Sequence, residues 1–418
     1  MRNNKFENIE GELILLAIKQ SFSNDKTKGI ECLINSGRIN WQRFQEFIVY
    51  HELILPAYLV LKDYTYVIPP NLIKLLKNNY YFILTRCQKI WHEFLRVLDV
   101  FTQAGITLLP LKGVAFIEDI YSDFPIRPMA DIDVLVQERY LRKAEMILND
   151  LGYSKELSNL KEDYWRKEQC HIAFYNKERK NLPLLELHWS LDFKRQNREI
   201  LPEIWERIRE IDTGGRKINM LSPEDTLFSL ALHNRRFGKP LCLKNVYDSV
   251  LLINKYHSCF DWDYCLNKSR QYGICSALLF ILLQSKFLGL NLPEYVEKEL
   301  SINSWKKQII DKFIKKSTFS PNQNKKIRNL YLKSHFLLYD TFFEPIKYII
   351  NIPQEQFAKF YGLKTYDKKT NFLYKFCLIY IFLTSSLYII KKLYTQSYKI
   401  ISKILRMFEY GQVSRKPS

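Results

Sequence analysis

The sequence lacks the cysteine spacing of a zinc knuckle or a disulfide framework. Its 418 residues include eight cysteines, but no two of them form a C-x-x-C pair. The segment MRNNKFENIEGELILLAIKQ also lacks the unbroken apolar stretch and the small-residue cleavage site of a signal peptide. These absences predict reduced thiols and a cytoplasmic location.

The sequence also lacks an apolar run long enough for a transmembrane helix. The longest candidate, FCLIYIFLTSSLYII at 376–390, is shorter than the roughly 20 residues needed to cross a bilayer. Lysines and apolar residues then alternate as far as Phe408. Such a basic amphipathic pattern either lies on an anionic membrane or packs as an ordinary core helix. Association with the cytoplasmic face of the membrane therefore stays an alternative.

Positive charge dominates the composition. Lysine and arginine total 63 against 44 aspartates and glutamates, for a net charge of +19. An excess of this size favours polyanionic partners without choosing among nucleotides, nucleic acid and an anionic membrane. Because 47% of the residues are hydrophobic and 26% are charged, the chain is predicted to fold with room for several domains.

The order of apolar patterns predicts an α+β fold. Apolar residues recur every three or four positions over 12–103, which indicates amphipathic helices. Residues 105–191 follow the order strand, helix, strand, helix, strand, strand. In LSPEDTLFSLALHNRRF, Ser222 is the expected N-cap and Pro223 the first residue of a helix that opens a mostly helical second half. The predicted regions are N-terminal helices at 1–104, a small mixed-sheet core at 105–215, a helical domain at 216–365 and basic amphipathic helices at 366–418.

The stretch RPMADIDVLV contains two aspartates two positions apart, Asp131 and Asp133. On a strand, both carboxylates point to one face while Ile132 and Val134 point into a core. Two such carboxylates repel each other unless a cation lies between them, and divalent cations prefer oxygen ligands. The stretch therefore predicts half of a metal site, and a solvated strand start is the alternative.

Further polar residues lie near the ends of the neighbouring predicted elements. Glu186 and His188 in LLELHWSL point to one side of a strand. Gly113, between a strand and a helix, would let backbone amides approach a phosphate, and Lys112 and Arg127 would add charged contacts. The alternatives are a turn for Gly113, ion pairs for the charged residues and a structural role for His188.

The segment LKNVYDSVLLI places Lys244 and Asp248 one helical turn apart. This spacing predicts an i, i+4 ion pair on the surface of a helix.

LKGVAFIEDIYSDFPIRPMADIDVLV, followed by a helix and LLELHWSL, resembles the uncharacterised nucleotidyltransferase family of the DNA polymerase β-like superfamily. The resemblance extends more loosely over about residues 10 to 300. The combination of Lys-Gly, Arg-Pro-x-x-Asp-x-Asp and Glu-x-His-Trp is specific, whereas each motif alone is weak. The sequence departs from the Gly-Ser or Gly-Gly pair usual in the superfamily, since Val114 follows Gly113.

The resemblance implies a polymerase β-like nucleotidyltransferase core and a role for each candidate residue. Asp131, Asp133 and Glu186 would be catalytic and would hold two Mg²⁺ ions. The nucleoside triphosphate donor would contact Lys112, Gly113, Arg127 and Lys244. The expected reaction is transfer of a nucleoside monophosphate to an unidentified acceptor, which is a small molecule, a protein or RNA. The alternative function is a catalytically inactive binding or recruitment module, with the membrane as one location.

Overall fold

The computed structural model describes residues 8–21, 28–121, 127–157, 162–193, 202–236, 241–300, 302–320, 337–341 and 343–351, and a few helical residues between 372 and 383. The predicted basic amphipathic helices at 366–418 therefore lie almost wholly outside the described residues. In the described part of the chain, no helix is both long enough and apolar enough to cross a membrane.

The chain divides into two compact units. The first comprises residues 1–327 and 337–340, and the second comprises residues 328–336 and 341–418. Within the second unit, Glu344–Asn351 is helical. All of the candidate residues belong to the first unit.

The chain begins with amphipathic helices, as the apolar periodicity predicts. They are α1 (Ile9–Ser21), α2 (Lys28–Asn35), α3 (Trp41–Tyr50), α4 (Ile54–Leu61) and α5 (Pro70–Gln103). Helix α5 buries Phe94, Val97 and Phe101, which are spaced three and four residues apart, and it contacts β2 of the sheet. Gly105, with φ of +68°, follows its C-terminus in the expected left-handed conformation.

A mixed five-stranded sheet follows, which confirms the α+β class. Its strands are β1 (Leu109–Pro110), β2 (Asp131–Leu135), β3 (Tyr153–Glu156), β4 (His171–Asn176) and β5 (Leu184–His188), in the spatial order β1-β2-β5-β4-β3. Only β2 and β5 pair in parallel among these strands. The intervening helices are α6 (Lys112–Ile117), α7 (Leu141–Asp150) and α8 (Glu162–Glu168).

Four strands differ from the sequence prediction. A strand was predicted over the whole of ITLLPLKG, but β1 comprises only two residues of it. Helix α6 already begins at Lys112. Strand β3 was not predicted, since its sequence YSKE is mostly polar and only Tyr153 is buried. A separate hairpin of β6 (Arg209–Thr213) and β7 (Arg216–Met220) was also missed, although Gly-Gly dipeptides are a known hairpin signal.

A helical layer completes the first unit. It contains α9 (Pro223–Arg236), α10 (Lys244–Tyr256), α11 (Trp262–Tyr272), α12 (Cys275–Phe287), α13 (Glu294–Glu299) and α14 (Ser304–Ser317). Ser222 caps α9 as predicted, because its Oγ accepts a hydrogen bond of 3.1 Å from the Asp225 amide. Helix α12 is buried from Cys275 to Ser285 and packs against α9, α10 and α14. It forms the centre of the helical core.

Candidate active site

The parallel pairing of β2 with β5 brings the acidic residues together. Asp133 lies opposite Glu186 in the ladder, and Asp131 lies two positions earlier on the same face. Strand β4 adds His171, which pairs with His188 of β5. The alternate residues of β2 and β5 are completely buried in the core on the other face: Ile132, Val134, Leu185 and Leu187.

Lys112 lies within this acidic cluster. Its Nζ donates a hydrogen bond of 2.6 Å to Asp133 Oδ1 and lies 4.0 Å from Glu186 Oε2. Its side chain is only 10% exposed. The backbone of Lys112 has φ of +47°, a left-handed conformation that costs a non-glycine residue on the order of 1–2 kcal/mol. The fold thus tolerates local strain where it places an ammonium group beside two carboxylates.

His188 is the second cation of the cluster. Its Nε2 lies 3.1 Å from Asp133 Oδ1 and 3.4 Å from Glu186 Oε2, and the side chain is 1% exposed. Burial by itself lowers the pKa of His188, but its interactions with Asp133, Cys170 and Glu186 raise the pKa to about 10. Burial likewise opposes ionisation of Asp133, yet Lys112 and His188 hold its pKa well below the ordinary value.

Asp131 has a different electrostatic environment. Burial, together with the negative charges of Asp133 and Glu186, raises the pKa of Asp131 to about 6. The charges of Lys112 and Lys244 oppose this rise without cancelling it. Within the described ranges Asp131 forms no ion pair, so neither lysine neutralises it by direct contact.

Arg127 is 3% exposed and is bound by Asp248 of α10. Its Nη2 lies 2.6 Å from Asp248 Oδ2, and its Nε lies 3.0 Å from both carboxylate oxygens. The hydroxyl of Tyr121 donates a further hydrogen bond of 2.9 Å to Asp248 Oδ1. The predicted phosphate contact of Arg127 would have to compete with this buried pair.

Gly113 lies against the segment that precedes β2. A Cβ atom at this position would lie 3.0 Å from Met129 Cβ and 3.1 Å from Arg127 Nη1. Glycine therefore permits a close approach between the start of α6 and residues 127–129. The sequence analysis gave two roles for Gly113, a turn and a phosphate contact. The close packing supports a structural role for this glycine.

Lys244 lies at the start of α10 and forms an ion pair with Glu52. The i, i+4 pair predicted between Lys244 and Asp248 was wrong, because Asp248 is completely buried and binds Arg127 instead. Since the charge of Lys244 acts on Asp131, the lysine still lies near the acidic cluster.

The sequence patterns missed two residues of this region, His171 and Cys170. His171 Nε2 lies 3.7 Å from Glu186 Oε2, and Cys170 Sγ lies 3.5 Å from His171 Nδ1. The adjacent predicted strands HIAFY and LLELH each contain a histidine, which was a partial signal for His171, but only the register of the structure places the two side by side.

The donor atoms fit a divalent cation. Asp133, Glu186 and His188 each offer one ligand atom within 4.8 Å of the others. Carboxylate oxygens are the ligands that Mg²⁺ prefers, and an imidazole nitrogen broadens the choice toward Mn²⁺ or Zn²⁺. The pKa of Asp131 is raised because burial and the charges of Asp133 and Glu186 outweigh Lys112 and Lys244, and a bound cation would offset these effects.

A family of known sequences matches the region that contains the acidic cluster. The sequence profile of a family described as "Uncharacterised nucleotidyltransferase" matches residues 37–288. This match covers more than half of the 418-residue chain and includes every residue of the acidic cluster. Neither a curated protein nor a solved structure matches the chain. The motifs and the matched range together show that the chain belongs to the uncharacterised nucleotidyltransferase family.

Proposed function

We propose that the protein is a Mg²⁺-dependent nucleotidyltransferase with a polymerase β-like core, which transfers a nucleoside monophosphate from a nucleoside triphosphate to an acceptor. The observation that carries this proposal is the cross-strand pair of Asp133 and Glu186, with Asp131 on the same face. Rigid strands are suitable supports for a carboxylate cluster that must hold metal ions in fixed positions.

Asp131, Asp133 and Glu186 would hold the ions. A pair of bound Mg²⁺ ions stabilises the attacking and leaving oxygens of a phosphoryl displacement. Glu186 is ionised at neutral pH, since its interaction with His188 outweighs burial and lowers its pKa. It is therefore able to accept the proton of an acceptor hydroxyl.

Lys112 supplies the positive charge nearest to the carboxylates. Its three N–H donors and its position 2.6 Å from Asp133 Oδ1 suit a phosphate contact once the carboxylates are occupied by metal. Lys244 adds a second positive charge near Asp131. Arg127 acts through its ion pair with Asp248 by holding the segment that leads into β2.

The acceptor stays open among the hydroxyl, amine and phosphate groups of small molecules, proteins and RNA. An inactive binding module is the second candidate. The direct contact of Lys112 with Asp133 favours it, because the ammonium group of Lys112 would then occupy the place of a metal ion. Asp131 favours the enzyme, since Lys112 contacts Asp133 directly and only partly offsets the burial and negative charge that raise the pKa of Asp131.

A labelling experiment tests the proposal. The full-length protein is incubated with Mg²⁺, each of the labelled nucleoside triphosphates and cell extract, and the label is then sought in RNA, protein, lipid and small molecules. Transfer is expected with the wild type and with the surface variant Asp150→Asn, and is expected to be lost in Asp131→Asn and Asp133→Asn. Undiminished transfer by either site variant, or no transfer by the wild type, would reject the proposal.

A further inference from the structure

A sulfur atom and two imidazoles meet beside the carboxylates. Cys170 immediately precedes β4, and His171 pairs with His188 across β4 and β5. The Trp189 amide donates a hydrogen bond of 3.0 Å to the Cys170 carbonyl, which ties the two chain segments together. The imidazole rings lie 4.6 Å apart between centroids with 32° between their planes. One ligand atom of each of these three side chains lies within 4.8 Å of the other two.

Both histidines direct one ring nitrogen toward a carboxylate. His188 Nε2 lies 3.1 Å from Asp133 Oδ1, and His171 Nε2 lies 3.7 Å from Glu186 Oε2. In metal-binding histidines, one nitrogen typically binds the ion while the N–H of the other donates to a carboxylate. The Nε2 atoms of His171 and His188 already have the carboxylate neighbours that this arrangement requires.

The Nδ1 atoms then remain as ligands. His171 Nδ1 lies 3.5 Å from Cys170 Sγ. His188 Nδ1 is buried and has no hydrogen-bond partner among the described residues, on a side chain that is only 1% exposed. An unsatisfied nitrogen in the interior costs free energy unless a ligand or water reaches it. Its burial beside a thiol and a second imidazole indicates a ligand that accepts both sulfur and nitrogen donors.

We propose that Cys170 Sγ and the Nδ1 atoms of His171 and His188 form a binding site for Zn²⁺ or a similar transition metal, distinct from the carboxylate site assigned to Mg²⁺. Thiolate and imidazole ligands select zinc-like ions, whereas magnesium prefers oxygen. Three protein ligands leave a fourth position for water. On binding, the Cys170 thiol and the His188 imidazolium each release one proton to solvent, the latter from Nδ1, and the ion takes the lone pairs of both Nδ1 atoms.

The bound ion would act on the carboxylates through the two imidazoles. It would place the remaining proton of His188 on Nε2, facing Asp133, and that of His171 on Nε2, facing Glu186. The ion would thus orient two of the proposed magnesium ligands without touching the substrate. This inference does not depend on the proposed transferase activity, because metal binding is measured directly.

Cobalt substitution tests the site. The full-length protein is freed of metal and titrated with Co²⁺, whose absorption spectrum reports sulfur ligation and tetrahedral geometry. One equivalent is expected to produce a sulfur-to-cobalt charge-transfer band, and Zn²⁺ is expected to abolish it. Cys170→Ser should remove this band and weaken zinc binding by at least about tenfold. Cys265→Ser is the matched control, since Cys265 is equally buried but lies on α11, and it should keep the band.

Asp133→Asn separates the two metal sites. This variant should keep the charge-transfer band, because Asp133 is not a ligand of the proposed zinc site. A cobalt spectrum without sulfur ligation, or a band that survives Cys170→Ser, would overturn the proposal.

Should Cys170→Ser fail to fold, as circular dichroism would show, His171→Gln serves instead. The His171 side chain is 21% exposed, so its replacement should disturb the core less. The variant should bind cobalt more weakly and change the cobalt absorption spectrum. An unchanged spectrum and affinity would likewise contradict the site.

Discussion

Arg127 and Asp248 form a buried ion pair with three nitrogen-to-oxygen contacts of 2.6 to 3.0 Å. The two residues are 121 positions apart in the sequence, and their side chains are 4% and 0% exposed. The pair joins the segment before β2 to helix α10. It therefore couples the position of Asp131, four residues after Arg127, to the helical layer.

We expect Asp248→Asn to destabilise the protein by about 3–5 kcal/mol, because the buried guanidinium of Arg127 would lose its counter-charge. Urea unfolding of the metal-free protein measures the change. The control is Glu210→Gln, which removes a surface pair with Lys217 whose side chains are 49% and 71% exposed. This variant should leave the free energy of unfolding almost unchanged. Similar small effects of both substitutions would contradict a structural role for the buried pair.

The stability of the metal-free protein should depend on pH through Asp131. Folding raises the pKa of this carboxyl from 3.8 to about 6, so the folded state holds the proton more tightly than the unfolded state. The resulting stability is fully present below about pH 4 and is lost as the pH rises through 6.

Asp131→Asn should therefore be more stable than the wild type at pH 7.5 by about 1–2 kcal/mol, once solvent screening is allowed for. The difference should vanish near pH 4. Thermal melts in EDTA across this range provide the measurement, with the exposed Asp150 changed to asparagine as the matched control substitution. A difference that is the same at both pH values would show that Asp131 titrates normally.

Nucleotide binding should depend on metal. A nucleoside triphosphate with Mg²⁺ should stabilise the folded protein by about 2.7 kcal/mol at a ligand concentration 100 times Kd and should therefore raise Tm. In EDTA, the same nucleotide should raise Tm much less. Differential scanning fluorimetry with Asp133→Asn as the control gives the comparison. Equal shifts with and without metal would indicate a site built only from lysines and arginines.

Lys112 has a backbone role and a charge role that two substitutions separate. Lys112→Gly relieves the left-handed conformation at φ of +47°, whereas Lys112→Ala retains it, so the glycine variant should be more stable by about 1 kcal/mol. Both variants lose the ammonium and should bind the nucleoside triphosphate more weakly by a similar factor. Chemical denaturation and nucleotide titration measure the two effects, and equal stability of the variants would argue against strain.

Local patterns predicted the parts of the site that depend on one strand at a time. Asp131 and Asp133 follow from the two-residue period of a strand, and Glu186 from a second strand that contains the same alternation. The pairing of Arg127 with Asp248 was not predictable in this way, because the i, i+4 spacing of Lys244 and Asp248 offered a local partner. Burial of Asp248 in the tertiary structure decided against that partner.

The arrangement of the sheet also depends on contacts that local sequence patterns do not show. Strand β3 contains one buried residue, Tyr153, and so carries almost none of the apolar alternation that identifies a strand. His171 lies at the start of β4, where only the register of β4 against β5 places it next to His188. Register depends on contacts between strands, and a single sequence does not specify those contacts.

The parallel ladder between β2 and β5 also sets the time at which the acidic cluster forms during folding. Its two strands begin at Asp131 and Leu184, so closing the ladder requires a long loop whose entropy cost precedes any gain from pairing. A nascent chain that has not yet emerged as far as β5 holds Asp131 and Asp133 without Glu186. The pair of Asp133 and Glu186 therefore forms only when β5, the central strand, joins β2 to β4.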